Sequence, residues 1–423
     1  MRIAIFHLGF FYSGGGEKLV LEEMRGLRAL GHDVTCYAPY VDQRHCFPDA
    51  PEISEIRSFL PAPPEWLPMK DPLWLTLGCV LIPFMAWRFR QYDVFLGANQ
   101  PGAWFAYVLS RILGTPYIVY LAQPLRLLHP RHVDLENGIR IREGDHHFLA
   151  ALKQIAGRFI NWADRTSVLH AHEVLTNGEH VGGWIKEVYG VENSVCPAGC
   201  HPIPHVDLDY SSRWIGKTHV NGTVVPRPFI LLTNRHSPMK RFEYALWALK
   251  ALRRQVPAVA LVITGQETEY TKLLRYLVDG LGLKEFVHFV GLVTENDLLD
   301  LYRAAAVYVY PSPEEDFGMG IVEAMAAGTP VVAWKNGGPT VTVRHGETGF
   351  LAQPYDTEEF AESLHMLVSS AGLAEQMGRA GHLVSVASFS YDAHNKILER
   401  SLADAARIRS MDPVNVAQAG RRV

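Results

Sequence analysis

At 423 residues the chain exceeds the length that one hydrophobic core organises, so two domains are expected. Hydrophobic residues at 48%, aromatics at 11% and charged residues at 20% are the balance of a soluble globular enzyme. The net charge of −4 gives no reason to propose a nucleic-acid partner, and five cysteines without a disulfide pattern point to a reducing compartment.

Strand-like runs and amphipathic stretches alternate from the first residue. "MRIAIFHLGF" enters a strand directly and shows no small-residue cleavage site, so a cytoplasmic location is expected. "FYSGGGEKLVLEEM" follows, opening a helix on Gly14, Gly15 and Gly16. Those glycines let backbone N–H groups approach an anion at the helix N-terminus, although a plain tight turn explains them equally. Neither the dinucleotide fingerprint nor the P-loop is present. Pro72 to Trp87, within "KDPLWLTLGCVLIPFMAWRFR", holds sixteen uncharged residues with Arg88 and Arg90 behind them. Two readings stay open there: a buried helix, or a segment from Pro72 to Arg90 that dips into the bilayer interface. From Arg88 to Arg165 ten Lys/Arg face six Asp/Glu, a basic stretch in an acidic chain. It fits an anionic substrate, a membrane surface or an ordinary solvated face.

Further strand-like runs are "YDVFLGAN", "YIVYLA", "EVLTNG" and "NSVCPAG". "CPAGCHPIPH" gathers Cys196, Cys200, His201 and His205, but the spacing is too compressed for a closed zinc tetrahedron, so no metal is expected. Residues 206–227 lose periodicity and read as a linker, with the one Asp-x-Asp, Asp207 and Asp209, inside it. Alternation resumes with "FILLTN", "LVITG", "VHFVG", "VYVYPS", "TPVVAW" and "FLAQP". The pattern is therefore α/β, two doubly wound βαβ arrays in succession. In the second array Arg235 and Lys240 stand five apart after a strand, cations suited to a diphosphate or to plain surface exposure. "PSPEEDFGMGIVEAMAAGTPVVAW" then sets Glu315 on a strand-end loop and Glu323 about one and a half turns into a helix. Two carboxylates there suit the hydroxyls of a ribose or sugar; a cap and a solvated face is the plainer alternative.

Taken together, the glycine turn, "NGEHVGGWIKEVYG", Arg235 and Lys240, the E-x7-E element "EDFGMGIVE", and "NGGPTVTVRHGETGFL" resemble glycosyltransferase family 4 over residues 1–400. That resemblance implies a GT-B fold, two Rossmann-like domains facing across a cleft, and retaining transfer from a nucleotide diphosphate sugar without a metal or other cofactor. It implies that Arg235 and Lys240 neutralise the donor diphosphate, that Glu323 holds the ribose, and that Glu315 contacts the transferred sugar beside Phe317, Gly318, Met319 and Gly320. The run from Val290 to Val293 would flank the base, Gly14 to Gly16 would approach the diphosphate or the acceptor, and Gln123 and Arg126 would lie on the acceptor side. Three departures stand out: Ala122 where members often carry a histidine, Val341 where the glycine loop usually has a glutamate, and Gly178 in place of a serine.

The expected organisation is an acceptor-side domain over 1–205, a linker over 206–227 and a nucleotide-sugar domain over 228–390. A helix over 391–410 would return to the first domain, ahead of a flexible tail over 411–423. The expected function is transfer of a hexose, mannose favoured, to a glycan or lipid-linked acceptor, with peripheral contact at the inner face of a membrane. The alternatives are a sugar-nucleotide-binding subunit without transferase activity and a GT-B epimerase.

Overall fold

The computed structural model describes residues 1–44, 46–47, 50–64, 66–67, 70–137, 147–201 and 210–410, with backbone alone for 147–156, 211 and 408–410. The expected tail over 411–423, His205, Asp207 and Asp209 lie outside the described residues. The chain divides into two compact units. Unit 1 comprises residues 1–130, 139–197 and 391–423, and unit 2 comprises 131–138 and 198–390.

Unit 1 is built on seven parallel strands: β1 (Arg2–His7), β2 (Asp33–Ala38), β3 (Arg57–Ser58), β4 (Val94–Ala98), β5 (Tyr117–Leu121), β6 (Val174–Thr176) and β7 (Ser194–Val195). Their order is β3-β2-β1-β4-β5-β6-β7. Ile3, Ala4, Ile5 and Phe6 of β1 are fully buried, as expected of a parallel strand covered on both faces. The order reverses between β1 and β4, where doubly wound sheets open a crevice at their carboxyl ends. The helix Tyr391–Ser410 also belongs to this unit. Its His394 lies with Nε2 3.4 Å from Glu23 Oε1 on the helix Gly15–Ala29, and with Nδ1 3.3 Å from Cys196 Sγ. Gly26 lets the two helices meet, because a Cβ there would strike the Asn395 amide.

The segment Lys70–Phe89, an α-helix to Leu81 and then a 3-10 helix, is not the buried helix that was one of its two readings. Ile82 and Phe89 enter the core at 0% exposure, whereas Leu73, Val80, Phe84 and Trp87 are exposed on the other side. The uninterrupted uncharged run from Pro72 to Trp87 already puts apolar residues on every face of the segment; the structure adds which of them enter the core.

Unit 2 repeats the architecture with six parallel strands: β10 (Phe229–Thr233), β11 (Ala260–Thr264), β12 (Val287–Gly291), β13 (Val307–Tyr310), β14 (Val331–Trp334) and β15 (Gly349–Ala352). The order β12-β11-β10-β13-β14-β15 places its reversal between β10 and β13. The stretch expected as a linker is structured where it is described. It forms an antiparallel hairpin, β8 (Lys217–Val220) with β9 (Thr223–Pro226), and carries a deeply buried cation. Arg213, 1% exposed, donates from Nη1 to Ala305 O and Thr329 Oγ1, each at 2.8 Å, and from Nη2 to Ala327 O at 3.0 Å. Burial pushes its guanidinium down to about 10, so it stays charged at neutral pH. These acceptors precede β13 and follow the helix Met319–Ala326, so one side chain ties both ends of that βα unit.

Replacing Arg213 with alanine strands three buried acceptors. The expected loss is about 3 kcal/mol or more of stability, since unsatisfied buried polar groups cost ~1–3 kcal/mol each. A urea titration should show a clearly lowered midpoint for Arg213→Ala. An unchanged midpoint would mean that these carbonyls find other partners.

Candidate active site

The loops after β10 and β13 converge at the order reversal of unit 2. Arg235, exposed, and Lys240 lie on the first, which is pinned along its length. Asn234 N donates to Thr264 O at 3.1 Å, His236 N donates to Gln266 O at 3.0 Å, and Thr268 Oγ1 donates to His236 O at 2.6 Å. Gly265, at φ +136°, permits this approach, because a Cβ would collide with the Asn234 carbonyl. The His236 ring is buried, lies 2.8 Å from Thr271 Oγ1 through Nδ1, and is held neutral by burial, with its pKa near 4.

Glu315 lies on the second loop. Lys240 Nζ donates to its Oε2 at 2.6 Å, and the Tyr310 hydroxyl donates to the same oxygen at 2.7 Å. The side chains are 13% and 27% exposed for Glu315 and Lys240, respectively. Burial alone would raise the Glu315 carboxyl; the Lys240 charge, the two hydrogen bonds and the more distant Arg131 charge outweigh it and hold the group at about 2. The carboxylate therefore stays ionised across the neutral range.

Glu323 sits on the helix Met319–Ala326, where the Tyr302 hydroxyl donates to its Oε2 at 3.0 Å. Burial, followed by the neighbouring Glu323 charge, raises the Tyr302 phenol well above its ordinary value, so it remains a donor. Thr233 Oγ1 at the end of β10 lies 3.2 Å from that hydroxyl and 2.8 Å from Tyr308 OH. Gly320 completes the arrangement, since a Cβ would strike the Tyr308 hydroxyl. The tyrosines at 302, 308 and 310 were not anticipated as site residues. The available signal was "VYVY": two phenols at period two in an otherwise apolar strand place both on one face.

The run "EAMAAGTP" is small because the helix packs tightly. Gly381 on the helix Ala371–Ser388 leaves only 3.3 Å between a hypothetical Cβ and Met325 Cγ, and His382 Nδ1 lies 2.7 Å from Ala326 O. The glycine loop after β14 supports the Glu315 loop from below. Gly338 N donates to Glu315 O at 2.6 Å, and Asn336 Nδ2 donates to Pro313 O at 2.7 Å. A side chain at Gly337 or Gly338 would collide with the backbone of Glu315 or Phe317.

The remaining candidates are placed unevenly. Gly318, at φ +87°, is the N-cap of the Met319 helix, and Phe317 is buried against Phe389. Met319 and Gly320 are half-buried at the first turn. Within the run 290–293 that the resemblance sets beside a base, Val290 is buried at 6% exposure and Leu292 is exposed at 62%. In unit 1, Gly14 caps the helix Gly15–Ala29, which is joined to β1 by residues 8–14, and Gly16 faces Asn99 Nδ2 and His7 Nε2. Ala122 and Gln123 follow β5. The Ala122 amide donates to Asn99 Oδ1 at 2.8 Å, and the Gln123 side-chain oxygen is buried without a hydrogen-bond partner among the described residues. Arg126 is half-buried three residues on. Among the described residues no three His, Cys, Asp or Glu side chains come together to hold a metal.

Comparison with known proteins finds relatives for both units. The family described as Glycosyltransferase Family 4 matches residues 13–202, and that described as Glycosyl transferases group 1 matches 218–384. The alpha-1,3/1,6-mannosyltransferase of Mus musculus is 25% identical over 396 residues, covering 90% of this chain and 91% of its own. A GDP-mannose-dependent alpha-(1-6)-phosphatidylinositol monomannoside mannosyltransferase of Mycobacterium tuberculosis is 33% identical over 188 residues, 43% of this chain and 48% of its own. Among solved structures, Anabaena HepE in complex with UDP and glucose superposes with a TM-score of 0.71 at 20% identity, covering 95% of this chain and 99% of that one. Two family matches in tandem, on two doubly wound units whose second carries the E-x7-E pair at its order reversal, make the chain a glycosyltransferase of family 4 with the GT-B fold.

Proposed function

We propose that the protein is a retaining hexosyltransferase that moves a hexose, mannose favoured, from a nucleotide diphosphate sugar to a glycan or lipid-linked acceptor. The observation that carries this reading is the Lys240–Glu315 pair with Glu323, set on the strand ends where doubly wound sheets bind ligands. The preference for mannose rests on the two mannosyltransferase relatives.

In this reading the bond between the sugar's anomeric carbon and the diphosphate oxygen breaks, and its electron pair leaves with the nucleoside diphosphate. Lys240 retains donor capacity beyond Glu315 and Tyr310, and with Arg235 it relieves the charge that develops on the diphosphate. Glu315, fixed through Oε2, accepts hydrogen bonds from sugar hydroxyls, and Glu323 accepts them from the ribose. The acceptor hydroxyl bonds to the anomeric carbon on the face the leaving group vacates, and its proton passes to a leaving phosphate oxygen. The cations of this chain do the work of charge relief, so no metal is required. A second reading, a nucleotide-sugar-binding subunit, is favoured by Ala122, which brings no functional side chain to the end of β5. Release of nucleoside diphosphate that depends on acceptor would exclude it.

A lipid-linked acceptor and a peripheral location fit unit 1. Phe84 and Trp87 are 77% and 67% exposed. The surface continues through Trp104, whose Nε1 donates to Cys79 O at 3.4 Å, to Phe159 and Trp162, whose rings lie 6.2 and 5.7 Å from it. Arg88, Arg90, Arg111 and Arg158 are exposed on the same segments. Aromatic side chains with arginines beside them suit the interface of an anionic bilayer. Trp74, by contrast, is half-buried and donates to Pro61 O at 2.7 Å, which marks it as structural.

Three measurements check this reading. A thermal-shift screen with GDP-, UDP- and ADP-sugars should show stabilisation by one base class; no stabilisation by any would count against a nucleotide-sugar donor. Glu323→Ala should weaken calorimetric binding of the free nucleoside diphosphate, Glu315→Ala should spare that binding while depressing turnover, and Lys240→Ala should lower both by more than about tenfold. Equal losses of binding in the two glutamate variants would refute their separate roles. Sedimentation with anionic vesicles should fall as salt rises and in a Phe84→Ser/Trp87→Ser variant that melts normally; binding that survives both would place the contact elsewhere.

A further inference from the structure

The segment 131–137 lies between β5 and β6 in the chain, yet it is part of unit 2. Its short helix His132–Glu136 starts from a closed arginine–aspartate arrangement. Arg131 N donates to Asp134 Oδ2 at 3.0 Å, and the guanidinium holds both oxygens of the fully buried Asp134 carboxylate at 3.2 Å. That arrangement aims Arg131 Nη1 at the Glu315 loop, where it donates to the Glu314 carbonyl and lies 3.5 Å from Asp316 Oδ2. Val133 N donates in turn to Glu314 Oε2 at 2.9 Å. At the other end of the helix Glu136 pairs with Arg241. Arg241 follows Lys240 directly and sits at φ +52°, a left-handed conformation that a non-glycine residue keeps only when its surroundings impose it.

One short segment thus grips the residues on both sides of Glu315 and the residue next to Lys240, while the glycine loop supports the same Glu315 loop from below. From this juxtaposition we infer that the segment 131–137 is a positioning element for transfer: Arg131 fixes the loop of Glu315, and Glu136 fixes the turn of Lys240. The inference rests on the reading of Glu315 and Lys240 as the donor-handling pair. The alternative is a purely structural clasp, whose loss would lower stability without singling out the chemical step.

A double-mutant cycle in the full-length protein separates the two. Arg131→Ala should lower kcat by about tenfold to a hundredfold, the scale of a small misplacement at a reacting centre, with nucleoside diphosphate affinity little changed. Arg131→Lys, which keeps the charge but not the fork, should recover part of the rate. In a Glu315→Ala background the Arg131 substitution should have almost no further effect, because residues that act as a unit are not additive. The acid limb of the turnover profile should also move to higher pH in Arg131→Ala, since the carboxylate loses a nearby positive charge. Should Arg131→Ala fail to fold, Asp316→Asn removes the opposite side of the contact and is expected to act in the same direction. Equal effects of Arg131→Ala with and without Glu315, or an unchanged kcat, would overturn the inference. Hydrogen exchange at 311–320 serves as the arm that needs no activity. Faster exchange confined to that stretch in Arg131→Ala is expected, and unchanged exchange would overturn the inference even if the wild-type chain transferred no sugar, an outcome that would instead sink the proposed function.

Discussion

A lysine ammonium and a glutamate carboxylate meet 2.6 Å apart on the loops that follow two neighbouring parallel strands of unit 2, and much of the surrounding structure serves to keep them there. Such a pair gains little net stability from attraction, because taking both charges out of water costs nearly as much as their proximity returns. Removing one partner, however, strands the other at a typical cost of about 3–5 kcal/mol. The arrangement is therefore steep in one direction: neither loop can drift without exposing or orphaning a charge. Tyr310 sharpens this by adding a neutral donor to the same carboxylate oxygen, which leaves the other oxygen as the accessible acceptor.

The site is shaped as much by missing side chains as by present ones. Gly265 lets the turn after β11 close on Asn234, Gly320 leaves room for the Tyr308 hydroxyl, and Gly337 and Gly338 let backbone meet backbone beneath Glu315. In each case the partner is a carbonyl, a main-chain atom or a phenol held by its own hydrogen bonds, so nothing can yield to a methyl group. Rigid contact of this kind holds acceptor groups in place before any ligand arrives, which limits the reorganisation left to binding.

Local patterning revealed what local forces determine. Apolar runs marked all six strands of the second sheet but missed the exposed two-residue edge strand β3 of the first, and the strand-loop-helix order around 311–334 was enough to set Glu315 and Glu323 near a strand end. What escaped the sequence depends on partners far along the chain. Arg131 meets Glu314 across 183 positions, with no periodic signal at either end. Arg213 lies in a stretch without amphipathic pattern, because its role is to satisfy three carbonyl and hydroxyl acceptors rather than to bury an apolar face.

The route of the chain has a consequence for recombination between relatives. Residues 131–137 are encoded amid the segments of unit 1 but complete the packing around Glu315 and Arg241 in unit 2. A chimera joined only near residue 198 would combine a clasp from one parent with loops from the other. Matching Arg131, Val133 and Glu136 to the parent of unit 2 would transplant the whole contact set. In this fold the boundary that matters for inheritance of donor handling is thus discontinuous, and a single crossover point cannot respect it.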